Sequence, residues 1–595
     1  MFHRFVAAAP LALFLAACGS EPGETPVEIE PVSTEVAEIE IWDKGAMVAA
    51  ADRRAVEAGL KILESGGHAV DAAIAVHAVL GLVEPQSSGI GGGAFMLVYE
   101  ADTSEMTVYD GRETAPAAAT PDLFMEDGEV LDYISSWQSG RSAGVPGQIA
   151  LYKVAHDAHG TSDWNDLFSN AISLAEDGWE VSPRLAQVLA NPRLREFIRL
   201  DDHPVSSAYF FPGGEPLAAG DVVKNPDYAN TLRTVSLLGP DAFYKGALAQ
   251  DIVDTVNEEP RPGGMTLEDL SSYEVKVRSP ICGDHADGMR ICSAPPPSSG
   301  GIAQNMIVGL YQRLVETRGS DTTDAKVRDF VDAQRLAYAD RDHYVADADF
   351  VPVPSDDLVN PDYLDARAAE AFTPDAASTP GDPGVVLGRQ PLIDMWGRDT
   401  TDETPGTTHL SIVDANGNAV SMTATIESAF GNSRMIGGFL LNNELTDFAR
   451  DPQINGKPVA NAPGPGKRPR SSMSPTLVFD GEGDLFMVTG SPGGNSIVAY
   501  VSKTLVGVLD WGLTAQEAAG FPNIIARGDT IGVEIDRENG QALADMLSDE
   551  GYDVQEREGE ASGLHLIVVR EDGLEGGADP RREGVALTPA DVAGQ

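Results

Sequence analysis

Two adjacent threonines, Thr407 and Thr408, follow Gly406 at the start of a predicted β-hairpin, and either hydroxyl could act as a nucleophile. A threonine hydroxyl inside a chain is a weak nucleophile, whereas at a free N-terminus its own α-amine can serve as the base. Cleavage of the Gly406–Thr407 bond would create that amine, and the same hydroxyl could attack the unhindered glycine carbonyl. The pattern indicates self-cleavage followed by acyl transfer. The alternative is that both threonines are ordinary strand residues.

The hairpin that begins at Thr407 brings a second hydroxyl close to the first. The strands "THLSIV" and "AVSMTAT" flank "DANGN", where Gly417 suits the left-handed position of a three-residue loop. With that loop Thr407 lies opposite Thr425, and cross-strand partners share a face of the sheet. Residues two apart on a strand share a face as well, which adds Glu427. A two-residue Asn-Gly turn would shift the register by one and separate these side chains.

A glycine pair, Gly493 and Gly494, comes directly before the predicted helix "NSIVAYVSKTLVGVL". Unhindered N–H groups at the positive end of a helix suit a tetrahedral oxyanion, which acyl transfer must stabilise. The pair is therefore a candidate oxyanion hole. A glycine-rich turn without a catalytic role is the alternative.

The hairpin and the segments "LLNNELTDFA", "GKRPRSSMSPT" and "VTGSPGGN" resemble the γ-glutamyltranspeptidase family in content and order. Upstream, "GLKILESGGHAVDAAIAV", "GIGGGAFML", "DGRETAP" and "SAPPPSSGG" extend the resemblance over nearly the whole chain from about Trp42. The resemblance implies an α/β fold, the αββα sandwich of N-terminal nucleophile hydrolases. It also implies self-cleavage between Gly406 and Thr407 into a large subunit, residues 42–406, and a small subunit, residues 407–595.

The same resemblance assigns the catalytic roles that the residues alone leave open. It makes Thr407, the first of the two threonines, the nucleophile, and it makes Thr425 the residue that hydrogen-bonds the nucleophile. Gly493 and Gly494 correspond to the oxyanion hole.

A γ-glutamyl donor carries an α-carboxylate and an α-ammonium group, and the resemblance matches side chains to both. A guanidinium can bind a carboxylate bidentately, and two carboxylates one helical turn apart can face the same side. In a chain this acidic, solvated surface groups are the alternative. The carboxylate is matched by Arg112, Ser471 and Ser472, and the ammonium by Glu427, Glu444 and Asp447.

Two features depart from the family pattern. Many relatives have a neutral side chain at one or both of the two glutamate positions, 427 and 444, so three carboxylates around one ammonium is a variant. The segment between Phe448 and Ser471 is shorter than the lid of many relatives and has no aromatic residue. A less covered site would admit water and bulkier substrates, which leaves the balance between hydrolysis and transfer open.

The expected activity is cleavage of the γ-glutamyl amide of glutathione-like compounds through a γ-glutamyl-Thr407 acyl-enzyme, which passes the group to water, an amino acid or a peptide. No metal or organic cofactor is implied, because the sequence has no His-Glu-x-x-His, no Cys/His cluster and no Walker motif. One alternative is an acylase for glutaryl-type amides such as cephalosporin side chains, which has no ammonium to bind. Another is a catalytically silent, surface-anchored binding lipoprotein that stays one chain.

Charge and the N-terminus bear on partners and location. The chain has 41 Lys and Arg against 92 Asp and Glu, a net charge of −51, which disfavours nucleic acid as a partner. Residues 1–17 are typical of a signal peptide, and "LAAC", ending at Cys18, resembles a lipobox. Lipidation at Cys18, an acidic tether over residues 18–41 and a position at the periplasmic face of a bacterial membrane are expected, with a soluble periplasmic protein as the alternative.

The other two cysteines, Cys282 and Cys292, lie in "SPICGDHADGMRICSAP", which reads as two short strands around a turn. A cross-strand disulfide and two buried thiols are both compatible with this pattern, since export would place the pair in an oxidising compartment.

Overall fold

The computed structural model describes residues 42–370 and 373–593. The expected signal peptide, the lipidation site at Cys18 and the acidic tether lie outside the described residues. In the part of the chain that is described, no helix combines the length and the apolar character needed to cross a membrane.

Two large antiparallel sheets form the centre of the molecule. Their strands are β1 Met47–Ala50, β2 Gly93–Glu100, β3 Glu105–Asp110, β4 Lys276–Arg278, β5 Ile281–Asp284, β6 Arg290–Ser293, β7 Thr407–Val413, β8 Ala419–Thr425, β9 Thr476–Phe479, β10 Leu485–Thr489, β14 His565–Arg570, β15 Gly573–Ala578 and β16 Val585–Leu587. The first sheet has seven strands in the order β16-β1-β7-β8-β2-β3-β4, and the second has six in the order β15-β14-β10-β9-β6-β5.

A smaller third sheet, β11-β12-β13, consists of Ile524–Arg527, Thr530–Glu534 and Val554–Arg557. Four two-stranded ribbons complete the strands: Met125–Glu126 with Glu129–Val130, Trp179–Glu180 with Val222–Val223, Met435–Ile436 with Phe439–Leu440, and Gln453–Ile454 with Lys457–Pro458.

The longer helices surround these sheets. They are α1 Arg53–Glu64, α2 Ala69–Val83, α3 Gln148–His159, α4 Ser169–Asp177, α5 Pro183–Ala190, α6 Pro226–Leu238, α7 Ala247–Val256, α8 Gly300–Arg318, α9 Thr323–Tyr344, α10 Pro361–Ala368, α11 Ile497–Leu509 and α12 Gly540–Asp549. Short α-helices are Tyr133–Trp137, Pro192–Ile198, Pro204–Phe210, Asp241–Tyr244, Leu267–Ser271, Ser355–Leu358, Pro383–Val386, Ala515–Gly520 and Pro589–Ala593. Short 3₁₀ turns are Gly140–Ser142, Asp166–Phe168, Leu200–Asp202, Pro212–Gly214, Ala286–Gly288, Glu444–Asp447 and Gly494–Ser496.

Side-chain alternation along the strands creates two apolar cores. In β2, Ala94 and Met96 face a core shared with α1 and α2, whereas Phe95 and Leu97 face a core shared with the second sheet, α8, α9 and α11. Period-two alternation is what a sheet covered on both faces requires. Helix α2 is buried along its whole length, as its continuous apolar sequence predicts. The layers run helix, sheet, sheet, helix, and the predicted αββα sandwich is confirmed.

The predicted hairpin register is confirmed as well. Strands β7 and β8 pair antiparallel with Thr407 opposite Thr425, and Gly417 has a φ of +86° in the connecting loop. The question left open for the cysteines is settled by strands β5 and β6, which place Cys282 opposite Cys292 in a disulfide. Both central sheets combine strands from before and after residue 406.

Candidate active site

A short relay of hydroxyl groups surrounds the Gly406–Thr407 bond of the uncleaved chain. The Thr407 hydroxyl donates to Thr425 Oγ1 over 3.3 Å, and the Thr425 hydroxyl donates to the Gly406 carbonyl oxygen over 2.9 Å. The backbone N–H of Glu427 donates to Thr425 Oγ1 over 2.7 Å and fixes its orientation. Thr425 therefore contacts both the candidate nucleophile and the carbonyl that this nucleophile would attack.

The structure distinguishes the two threonines that the sequence left equivalent in chemistry. Thr407 lines a pocket at the end of the hairpin, whereas the Thr408 hydroxyl lies on the opposite face of β7 and donates to Glu84 Oε2 over 3.1 Å. The packing around Gly406 leaves no room for a side chain, because a Cβ atom there would collide with the backbone of Glu427. The geometry thus favours Thr407 as nucleophile and requires glycine before it.

The glycine pair lies where a strand gives way to a helix, as predicted. Gly493 and Gly494 have φ angles of 141° and 56°, and the 3₁₀ turn that begins at Gly494 leads into α11. A side chain at 493 would strike the Tyr500 ring, and one at 494 would strike the Glu403 carbonyl. Gly494 lines the same pocket as Thr407. In the uncleaved chain the backbone of Glu403 covers this glycine.

Arg112 is buried in the pocket and paired with two of the predicted carboxylates. Its guanidinium donates to Glu444 and, over 2.6 Å, to Asp447 Oδ2, and it also donates to the carbonyl oxygens of Pro469 and Arg470. Glu444 and Asp447 begin and end one 3₁₀ turn, so the prediction that they face one side is confirmed. Four of the five guanidinium N–H groups are engaged. Bidentate binding of a substrate carboxylate would therefore displace one of these partners.

Each carboxylate that binds Arg112 uses one oxygen for that bond, and the Asp447 carboxyl group also lies close to that of Glu427. Among the described residues, Glu444 Oε2 and Asp447 Oδ1 are buried and have no hydrogen-bond donor. A buried acceptor without a donor costs free energy unless a ligand satisfies it. Burial raises the pKa of Asp447 well above its ordinary value, and the nearby Glu427 carboxylate raises it further. The pocket can accept a cationic hydrogen-bond donor.

Glu427 completes the acidic side of the pocket in a strained conformation, with a φ of 74°. Its carboxylate accepts hydrogen bonds from Ser428, from Asn443 and, over 3.2 Å, from the backbone N–H of Thr404. Burial is the largest influence on its pKa, which is raised. A residue other than glycine rarely adopts a positive φ, and such strain is concentrated at functional sites.

All the predicted catalytic and substrate-binding residues except Gly493 line one small cavity of about 10 Å³. Ser471 and Ser472 lie in its wall, and the Ser472 hydroxyl accepts a hydrogen bond from Arg341. Gly493 precedes Gly494 in the chain but is not in the wall. The cavity is not open in the uncleaved chain, since only 4% of Thr407 is exposed. Although the segment between Phe448 and Ser471 has no aromatic residue, Tyr133 from another segment hydrogen-bonds Thr404 beside the cavity.

Several residues near the site carry no signal in the sequence. Arg582 donates to the Thr407 carbonyl oxygen over 3.0 Å, and its guanidinium is held by the carbonyls of Ala561 and Ser562. Glu84, at the end of α2, lies 3.5 Å from Arg582. These groups are separated from Thr407 by 175 residues or more. A short-range pattern therefore cannot find them.

Comparison with known proteins places this site in a family. The family model for gamma-glutamyltranspeptidase matches residues 55–588. A glutathione hydrolase proenzyme of Escherichia coli K12 is 36% identical over 593 residues, which covers 98% of each chain. A glutathione hydrolase proenzyme of Bacillus subtilis 168 is 35% identical over 516 residues, 86% of this chain and 85% of the relative.

Solved structures agree with the fold. A cephalosporin acylase from Bacillus halodurans has a TM-score of 0.78 at 25% identity, covering 94% of this chain and 99% of its own. The gamma-glutamyltranspeptidase of Helicobacter pylori has a TM-score of 0.51 at 32% identity, covering 63% of this chain and all of its own. The family model spans most of the chain, and the two curated relatives are more than 30% identical over most of it. The chain belongs to the γ-glutamyltranspeptidase family.

Proposed function

We propose that the chain removes the γ-glutamyl group from glutathione-like amides after cutting itself between Gly406 and Thr407. The family membership and the curated relatives, which carry the name glutathione hydrolase proenzyme, support this assignment. The single observation that carries it is the set of carboxylate oxygens beside Thr407 in one cavity, among which the buried Glu444 Oε2 has no hydrogen-bond donor from the described residues. These oxygens suit the α-ammonium group that distinguishes a γ-glutamyl amide from other acyl amides.

Self-cleavage would use the relay at the hairpin. Attack of Thr407 Oγ1 on the Gly406 carbonyl carbon develops negative charge on the carbonyl oxygen, to which the Thr425 hydroxyl already donates. A donor held in place before the reaction stabilises such charge without reorganisation. Collapse of this intermediate breaks the C–N bond, which passes the hydroxyl proton to the departing Thr407 amine and leaves an ester between Gly406 and Oγ1. Water then hydrolyses the ester, which releases the Gly406 carboxylate and restores the Thr407 hydroxyl.

In the cleaved enzyme the free amine takes the proton of the Thr407 hydroxyl, and Oγ1 attacks the γ-amide carbonyl carbon of the donor. The N–H groups of Gly493 and Gly494 stabilise the tetrahedral oxyanion. The ammonium then returns a proton to the leaving amine as the amide bond breaks. Water or an acceptor amine repeats these steps on the γ-glutamyl ester.

Mass measurement of the purified protein tests the proposal, because cleavage at one bond produces two predictable masses. We expect fragments that end at Gly406 and begin at Thr407 in the native protein, and one intact chain in a Thr407→Ala variant. Thr407→Ser retains a hydroxyl and should still be cleaved, more slowly. Fully active native protein with an intact chain would overturn the mechanism.

The acylase alternative rests on the structural likeness to the Bacillus halodurans enzyme. The two candidates are separated by paired donors, γ-glutamyl-4-nitroanilide and glutaryl-4-nitroanilide, which differ only in the α-ammonium group. Because a site that hydrogen-bonds a group discriminates strongly against an analogue lacking it, we expect a preference of about 10²-fold or more for the γ-glutamyl donor. Equal rates would favour the acylase.

We also propose that the protein is anchored through lipid on Cys18, prompted by "LAAC". A Cys18→Ser variant should shift from the membrane fraction to the soluble fraction. Equal partitioning of the two proteins would refute the anchor.

A further inference from the structure

A buried anion site lies beside the pocket and is filled by the chain's own Glu403. The Glu403 carboxylate accepts a hydrogen bond from the Arg341 guanidinium and lies 3.5 Å from Arg470 Nε. Arg341 and Arg470 are both fully buried. Burial alone would raise the pKa of Glu403, but the two guanidinium groups outweigh it and hold the pKa below its ordinary value. The site binds an ionised carboxylate.

The two guanidinium groups are held in place independently of Glu403. Arg341 donates to Ser299 Oγ over 3.0 Å, to Asp342 Oδ1 over 2.9 Å and to Asn495 Oδ1 over 3.1 Å. Arg470 forms an ion pair with Asp399 over 3.0 Å. No side-chain nitrogen of Arg470 makes a well-aligned hydrogen bond to any described residue. The site therefore has unused donor capacity.

Glu403 belongs to the segment that stands in the way of a substrate. Its carbonyl oxygen accepts from Asn495 over 3.3 Å and lies where a side chain at Gly494 would be. The next residue, Thr404, donates its backbone N–H to Glu427. Residues 403 and 404 thus occupy both the glycine turn and the acidic wall. A donor can reach these groups only after the segment leaves.

Departure of Glu403 leaves the buried arginines one negative charge short. Arg341 would keep Asp342, which is also shared with Arg527, and Arg470 would keep Asp399. A buried charge without adequate compensation is strongly unfavourable, so an incoming anion is favoured there. The leaving group of a γ-glutamyl peptide ends in a carboxylate roughly 7 Å from the scissile amide, about two residues of extended chain.

We infer that Arg341 and Arg470 form a subsite for the carboxylate of the leaving group, and of an amino-acid or peptide acceptor, with Glu403 as its occupant before cleavage. This inference rests on the proposed function. It assigns a second anion site to the pocket, separate from Arg112. It predicts selectivity for donors and acceptors with a free carboxylate on the side away from the γ-glutamyl group.

Two donors test the subsite in one preparation: γ-glutamyl-4-nitroanilide and γ-glutamyl-3-carboxy-4-nitroanilide. The measured quantity is the ratio of their kcat/KM values, which cancels the fraction of mature enzyme. We expect Arg470→Gln to lower the ratio of carboxylated to uncarboxylated donor about tenfold, a loss of roughly 1.4 kcal/mol. Arg470→Lys should retain most of it. An unchanged ratio in Arg470→Gln would overturn the inference.

Arg318→Gln is the matched control, because Arg318 pairs with Asp329 and Asp332 instead of Asp342, Asp399 or Glu403. Its ratio should stay within about twofold of the native value, and an equal fall in both variants would contradict a specific subsite. Native enzyme that hydrolyses neither donor would refute the proposed function itself.

A second measurement needs no variant, and it tests the subsite even if the Arg470→Gln protein fails to cleave itself. Transfer by native enzyme to glycylglycine is compared with transfer to glycylglycine amide, which lacks the carboxylate. We expect a KM about tenfold lower for the free carboxylate. Equal KM values would overturn the subsite.

Discussion

The hairpin and the charged pocket meet at Thr407 but are held by different forces. In the hairpin, strand register alone sets Thr407 against Thr425. In the pocket, Arg112 is joined to Glu444 and Asp447 by ion pairs that span more than 330 residues. Backbone pairing is insensitive to pH and tolerant of neighbouring changes, whereas buried ion pairs depend on the charge of every partner. We therefore expect changes in the hairpin to affect kcat and changes in the pocket to affect KM.

The largest effect is expected from Thr425→Val, which removes the hydroxyl at nearly constant volume. Because this hydroxyl contacts both Thr407 and the Gly406 carbonyl, self-cleavage and kcat should fall about 10²–10³-fold. The rate of cleavage on a denaturing gel and kcat of the mature fraction measure it. Thr425→Ser should recover most of the loss; failure of Ser to do better than Val would show that shape, not the hydroxyl, matters.

A smaller effect, mainly on KM, is expected from Arg112→Lys. Lysine keeps the charge but cannot donate to Glu444, Asp447 and two carbonyls in a fixed fork. KM for a γ-glutamyl donor should rise about 10–100-fold with a lesser change in kcat, and self-cleavage should persist. A variant in which kcat falls and KM stays constant would erase the distinction between the two regions.

The pH dependence of the pocket comes next in size. Because burial raises the pKa of Glu427 and Asp447, both carboxylates ionise later than usual as pH rises, and the ammonium of the donor binds better once they do. KM should therefore fall with rising pH. Glu427→Gln removes the like charge that raises the pKa of Asp447, so the acid limb of kcat/KM should move to lower pH. If the acid limb of kcat/KM stays at the same pH in this variant, the limb reports the ionisation of another group, such as the Thr407 amine.

The smallest effect on activity is expected far from both regions, at the Cys282–Cys292 disulfide. It joins two adjacent strands through cysteines that are ten residues apart in sequence. Replacing both cysteines with serine should lower the free energy of unfolding by about 2–3 kcal/mol, measured by denaturant titration, with kcat and KM unchanged. A changed kcat would mean that strand β5 influences the hairpin through the second sheet.

The same contrast explains what the sequence could reveal. The loop "DANGN" and the alternation beside it are local, so they determine that Thr407 faces Thr425. The Gly493–Gly494 turn before a helix is local too. The pairing of Arg112 with Glu444 and Asp447 is not local. The sequence analysis matched Arg112 to the substrate carboxylate and the two acids to the substrate ammonium, and this did not predict that they bind each other in the absence of substrate.

The sequence did not identify Glu403, Arg341 or Arg470 as site residues, for a related reason. Residues 375–406 are rich in Pro, Gly, Asp and Thr, a composition that predicts a polar, weakly structured connection. In the structure this stretch has little regular structure beyond the short helix Pro383–Val386. Yet Glu403 is buried against two arginines distant in sequence. A single carboxylate in a chain with 92 acidic residues has no local mark that separates it from the solvated ones.

The mixing of strands from both sides of residue 406 has a consequence for the protein after the proposed cleavage. In the first sheet β7 lies between β1 and β8, and β8 in turn pairs with β2, so neither product owns a complete sheet. The two polypeptides could dissociate only if the central sheets unfolded, and neither could exchange with another copy of the same subunit. Their association would be governed by an unfolding barrier and not by a dissociation constant, so dilution should not separate them.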